Sequence, residues 1–109
     1  MNPISAIALS GMSAASTRLA VSAQNVANAS TASARSIVDQ VEIAGGGTAA
    51  QISSPASSYG PPSFGAGGAD VDLAAEAVDQ LSASLAFAAN LAVLRMSNQM
   101  TKSLLDVMA

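Results

Sequence analysis

The sequence predicts a mainly α fold: two long helices, N- and C-terminal, forming a coiled-coil-like hairpin around a small β-hairpin or irregular middle segment. Three observations lead there. Apolar residues recur in alternating steps of three and four towards both ends of the chain. Between them lies a stretch dominated by Ser, Gly, Pro and Ala, with neither a helical nor a strand period. Half of the 109 residues are apolar, yet only 3% are aromatic, and Ala is the largest part of the apolar content. Burial yields about 25 cal/mol per Å² of apolar surface, so such a chain gains little from a core of its own. Helices that are completed by neighbouring subunits fit this balance better than a free-standing globule.

The N-terminal helix is predicted to begin at Asn2-Pro3, because Asn caps free backbone donors and Pro suits a first helical position. It runs to about Asn28. Within it Met12, Ala15, Leu19, Ser22 and Val26 recur at steps of three and four, the period of a seam that packs on another helix. Gly11 costs about 1 kcal/mol against Ala in a helix, or else permits close packing. Residues 28–36 break the period with Asn, Ser and Thr, which bond their own backbone and favour turns.

Residues 37–43, IVDQVEI, alternate Val41 and Ile43 with Gln40 and Glu42, the pattern of a strand with one face partly buried. Gly45-Gly46-Gly47 then turns the chain and residues 48–52 return as a second strand. An isolated hairpin of two strands is barely stable in water, so this one needs a support. The triple glycine is not a phosphate loop, since no Lys-Ser/Thr follows it. Residues 53–69, SSPASSYGPPSFGAGGA, read as a linker; Tyr59 and Phe64 either pin it to a helix or neighbouring subunit or are incidental.

Asp72 is the expected cap of the second helix, with Glu76 and Asp79 placing negative charge in its first turns, where the dipole favours it. Val78, Leu81, Leu85, Ala88 and Ala92 form one stripe. Phe87, Leu91, Leu94, Asn98, Thr101, Leu105 and Met108 form another beside it. Two stripes imply a helix covered on more than one side. From Leu73 to about Val107 it spans roughly 50 Å at 1.5 Å per residue, too long for a single small globule.

Composition narrows the function classes. Net charge is −3, and Arg18, Arg35, Arg95 and Lys102 are scattered, which argues against nucleic acid as a partner. No Cys or His is present, so neither a disulfide framework nor a Ser-His-Asp arrangement can form. Asp70, Asp72, Glu76 and Asp79 are the one carboxylate cluster; they lack the spacing of a calcium loop, and capping explains them better, with Asp79 solvated. Met12, Met96, Met100 and Met108 sit at helical spacings suited to adaptable packing rather than to a metal. No catalytic, cofactor or metal residue, and no small-molecule substrate, is therefore assigned. No basic region precedes Arg18, which disfavours a cleaved secretory signal. The longest charge-free run of the second helix, residues 80–94, is shorter than the roughly 20 residues a bilayer needs, which predicts no transmembrane span.

Two stretches carry a resemblance. SGM-x-AA-x-x-RL-x-V-x-A-x-NVAN-x-x-T, residues 10–31, resembles the N-terminal signature of the bacterial flagellar rod and hook axial proteins. VDL-x-x-E-x-V-x-x-L-SAS-x-AF-x-AN-x-x-VL, residues 71–94, is similar to the C-terminal motif of the rod proteins, most of all the proximal-rod members. The resemblance implies a subunit divided into an N-terminal axial helix (1–31), a middle (32–69) and a C-terminal axial helix (70–109). It implies export without a cleaved signal through the flagellar export apparatus. It also implies helical assembly, with copies of itself and with neighbouring axial proteins, in the periplasm-spanning rod that transmits torque. The family usually has Arg where this chain has Leu85, Tyr at Phe87 and an acidic residue at Ala88, so drier subunit contacts are expected here. The middle is also shorter than in the usual proximal-rod protein. Met12, Leu19, Val26, Leu81, Leu85, Phe87, Leu91 and Leu94 are the expected interface residues. The alternative is a secreted helical-hairpin effector or membrane-active translocator, against which the scarcity of Lys and Arg counts.

Overall fold

A computed structural model describes residues 2–30, 35–53 and 71–108. Four elements follow in order: α1 (Pro3–Ala27), β1 (Ile37–Glu42), β2 (Thr48–Ser53) and α2 (Leu73–Met108). The two long helices pair antiparallel, and the β-hairpin packs on α1, along a stripe beside the one that faces α2. The result is a long slab of 73 × 27 × 14 Å in which α1 carries the contacts to both other parts. Two helices at the ends of the chain with a small antiparallel hairpin between them is the predicted architecture. The predicted linker, with Tyr59 and Phe64, lies outside the described residues.

Both helix starts follow from their caps. The Asn2 side chain accepts from the Ile4 N–H at 3.1 Å, with Pro3 as the first helical residue. Asp72 Oδ1 accepts from the N–H groups of Ala74 and Ala75 at 2.9 and 3.2 Å, satisfying two donors that no helical carbonyl can reach. Glu76 stands in the first turn as expected, and both it and Asp79 are also engaged by side chains of other segments.

In the β-hairpin Ile37 pairs with Ser53 and Glu42 with Thr48. A five-residue loop closes it, with Ile43 N–H donating to Gly47 O and Gly46 N–H to Ile43 O. Gly45, Gly46 and Gly47 all have positive φ, at 103°, 91° and 122°. A support is supplied by α1: the Ser10 hydroxyl donates to Ile7 O at 2.7 Å and accepts from Thr48 N–H at 3.2 Å, fastening the hairpin tip. The expectation that Val41 and Ile43 mark the buried face is corrected. Both are exposed, and the half-buried residues are Val38 and, on β2, Thr48, Ala49 and Ala50. It is β2, with its small side chains, that lies closer to α1.

The seam between the helices also differs from the expected one. Along α1 the residues facing α2 are Ala8, Gly11, Ala15, Arg18, Ser22 and Asn25, a row in steps of three and four. Ala15 and Ser22 belong to both rows; Met12, Leu19 and Val26 lie one stripe over. Facing them on α2 are Glu76, Ala83, Asn90 and Ser97, seven residues apart. Of the two apolar stripes predicted for α2, the one with Phe87, Leu91 and Leu94 runs beside this row, and the one with Val78, Leu81 and Leu85 lies on the outer, exposed side of the helix. Ala83 has no exposed surface, and Ser97 meets Asn2 and Ser5 at 3.3 and 3.4 Å. Small residues win the seam because they let the backbones approach, leaving the large side chains outside. Ala14 and Val21, also buried, share with Ser10 the stripe of α1 under the β-hairpin.

Candidate functional site

Two features stand out: a polar node inside the slab and an apolar surface around it. The node forms where the end of α1, the segment before β1 and the first turns of α2 meet. Glu76, only 1% exposed, receives Arg35 Nε at 2.6 Å and Asn25 Nδ2 at 3.2 Å. The same Asn25 amide donates to Ser36 O at 2.9 Å, while its Oδ1 accepts from Ser36 N–H at 3.0 Å. The Ser22 hydroxyl donates to Glu76 O at 3.1 Å. Asp79, predicted to be solvated, lies half-exposed at 3.6 Å from Arg35 and 4.0 Å from Arg18. Among the described residues no buried side-chain polar atom lacks a partner.

Burial pushes the Glu76 carboxyl up. Hydrogen bonds from Ser22, Arg35 and Asn25, with the Arg35 charge, outweigh it and hold the group below the usual carboxylate range. The hydrogen bond to Glu76 in turn raises Arg35. An ionised, fully bonded carboxylate is a poor proton carrier at neutral pH. What this arrangement does is join three segments that are distant in sequence. A hollow of about 120 Å³ beside it is lined by both arginines, both carboxylates and Val21. Among the described residues no group of three His, Cys, Asp or Glu is placed to hold a metal.

Sequence reasoning missed Asn25, Arg35 and Glu76 as partners because no local pattern links them. One signal was present: Glu76, Ala83, Asn90 and Ser97 recur at seven-residue spacing, but as polar and small residues they do not register as a seam.

The eight expected interface residues divide into two groups. Met12, Leu19 and Val26 on α1, with Phe87, Leu91 and Leu94 on α2, border one lateral face of the helix pair. Along that face run two hollows, of about 300 Å³ beside Leu19 and Phe87 and about 430 Å³ beside Leu9 and Leu94. Half-buried Met12 and Leu91 lie between them. Leu81 and Leu85 stand on the outer side of α2, 73% and 71% exposed, with no cover among the described residues.

On length and composition both helices are apolar enough to cross a membrane, although their charge-free runs are short. Isolated charges such as Arg95 shorten such a run while hardly changing the apolar content of the helix. Comparison with protein-family models and with curated proteins finds no match.

Proposed function

We propose that this chain is a structural, non-catalytic subunit of the bacterial flagellar basal-body rod, assembling helically through its two terminal helices. The observation that carries the reading is where the two resembling stretches meet. Gly11, Arg18 and Asn25 of the first lie across the seam from Glu76, Ala83 and Asn90 of the second. The resembling stretches thus supply both the residues that fold the ends of the chain together and, one stripe over, the large apolar residues left outside. The large apolar residues outside the seam then become subunit contacts, with copies of this chain and with neighbouring axial proteins. Interlocked side chains along such seams resist sliding, which suits a shaft under torque. On this reading the chain passes through the flagellar export apparatus without a cleaved signal. The test is deletion in the organism that encodes it, with imaging of purified basal bodies. Loss of swimming and density for the hairpin in the rod are expected; normal swimming with no such density would sink the proposal.

A second reading, a secreted hairpin that acts on membranes, is favoured by the same outward apolar faces and by the length of both helices. Interfacial helices usually present a basic face, and this chain has four basic residues in all. Co-sedimentation with anionic liposomes separates the readings: binding is expected of the membrane-active hairpin and not of the rod subunit.

A further inference from the structure

The helices differ in length, and the difference is all at one end. The first residues of α1 lie beside Ser97, where Asn2 and Ser5 reach its hydroxyl. From there α2 continues to Met108: Asn98, Met100 and Thr101 still line hollows with Asn2 and Ile4, and the last seven residues, about 10 Å, meet no other element among the described residues. The seam row changes character at that point. Glu76, Ala83, Asn90 and Ser97 are followed seven residues later by Leu104, next to Leu105 and ahead of Met108, all exposed. Residues are small or polar where α1 packs close and large and apolar where α1 has ended.

The ends also differ in charge. The overhang itself carries Lys102 against Asp106, and Arg95 just before it makes residues 95–108 net positive by one. At the far end of the slab Asp39, Asp72, Glu76 and Asp79 outnumber Arg18 and Arg35. The hollow beside Leu19 and Phe87 lies towards that acidic end.

We infer that the α2 overhang of one copy seats in the lateral groove of a second copy, with Leu104, Leu105 and Met108 against Leu19 and Phe87. The inference rests on the assembly reading above and names its contact. One chain supplies both the apolar ridge and the apolar groove, and Arg95 and Lys102 approach the acidic end of the next copy. An amphipathic helix laid in a groove with anchors at these spacings is an established mode of recognition. Tail and groove are different surfaces, so the contact is heterologous and continues into an open row of subunits.

The absence of Cys makes cross-linking direct. Leu105→Cys and Leu19→Cys chains, mixed under mild oxidation, are expected to give the mixed disulfide, with little of either symmetric product. Removal of residues 101–109, and separately Leu104→Asp, should weaken self-association in sedimentation roughly ten-fold or more, the equivalent of losing one buried Leu. Helicity by circular dichroism checks that each variant still folds. A dominant Leu105→Cys homodimer would mean that tails pair with tails and would overturn the inference. Undiminished association after tail removal would overturn the tail contact while leaving the assembly reading standing. An intact chain that stays monomeric at every concentration, yet occupies the rod in purified basal bodies, would also overturn this contact and spare that reading.

Discussion

Gly11 lies directly under the Asn90 side chain: a Cβ at position 11 would stand 2.7 Å from Asn90 Oδ1 and 2.8 Å from its Cγ and Nδ2. Asn90 is itself tied down, donating to Ala86 O at 2.9 Å. The absence of a side chain on one helix is what lets a polar side chain of the other enter the seam.

Gly11→Ala sets two effects against each other. Helix propensity favours Ala by about 1 kcal/mol, while overpacking costs about 1–3 kcal/mol. The Asn90 amide can move only by giving up its bond to Ala86, so net destabilisation is expected. Asn90→Ala removes the obstacle, and in that background Gly11→Ala should be stabilising. A double-mutant cycle of thermal melts should therefore show strong coupling; additive effects would mean that the contact does not set the packing.

Removing either partner of the buried ion pair should not cost the same. Arg35→Met leaves the Glu76 carboxylate in the interior without its charged partner, with only the neutral donors Asn25 and Ser22 beside it; breaking a buried pair in this way costs about 3–5 kcal/mol. Glu76→Gln keeps an acceptor for Arg35, which is a third exposed and can turn to water, so a smaller loss is expected. Denaturant titration of the two variants, side by side, checks the order.

Stability should depend on pH through Glu76. Its carboxyl titrates lower when folded than when unfolded. The stabilisation is therefore complete above the ordinary Glu value of about 4.3 and is lost as pH falls through the lower folded value. Melting temperature should be flat from neutral pH to about 5 and fall below that. Glu76→Gln should flatten part of the acid limb; an unchanged limb would place the titration elsewhere.

Two glycines of the β-hairpin loop should respond differently. A Cβ on Gly45 would meet nothing, so Gly45→Ala suffers only from its positive φ, at about 1–2 kcal/mol. A Cβ on Gly47 would stand 2.7 Å from Ser10 Oγ, the atom that accepts from Thr48 N–H. Gly47→Ala should therefore also loosen the hairpin tip from α1, seen as faster amide exchange at Thr48 and absent in Gly45→Ala.

Leu85→Arg separates folding from assembly. Leu85 is exposed in the single chain, so hairpin stability should change by no more than about 0.5 kcal/mol. If the outer face of α2 is a dry subunit contact, the same change should abolish incorporation into the rod. Normal swimming with Leu85→Arg would remove that face from the interface.

The sequence by itself determined the elements. Asn2-Pro3 and Asp72 start the helices, the triple glycine turns the hairpin, and steps of three and four mark both ends as helical. Each of these is a local effect, set by backbone dihedrals, caps and periodicity within a few residues. The pairing of faces was decided only by the tertiary structure. Met12, Leu19 and Val26 were the better apolar row, yet Ala8, Gly11, Ala15, Ser22 and Asn25 took the seam, since close approach rewards small volume over hydrophobicity. In the same way Glu76 has the position of a dipole partner in sequence, and only the arrival of Asn25 and Arg35, 51 and 41 residues away, makes it the buried centre of the fold.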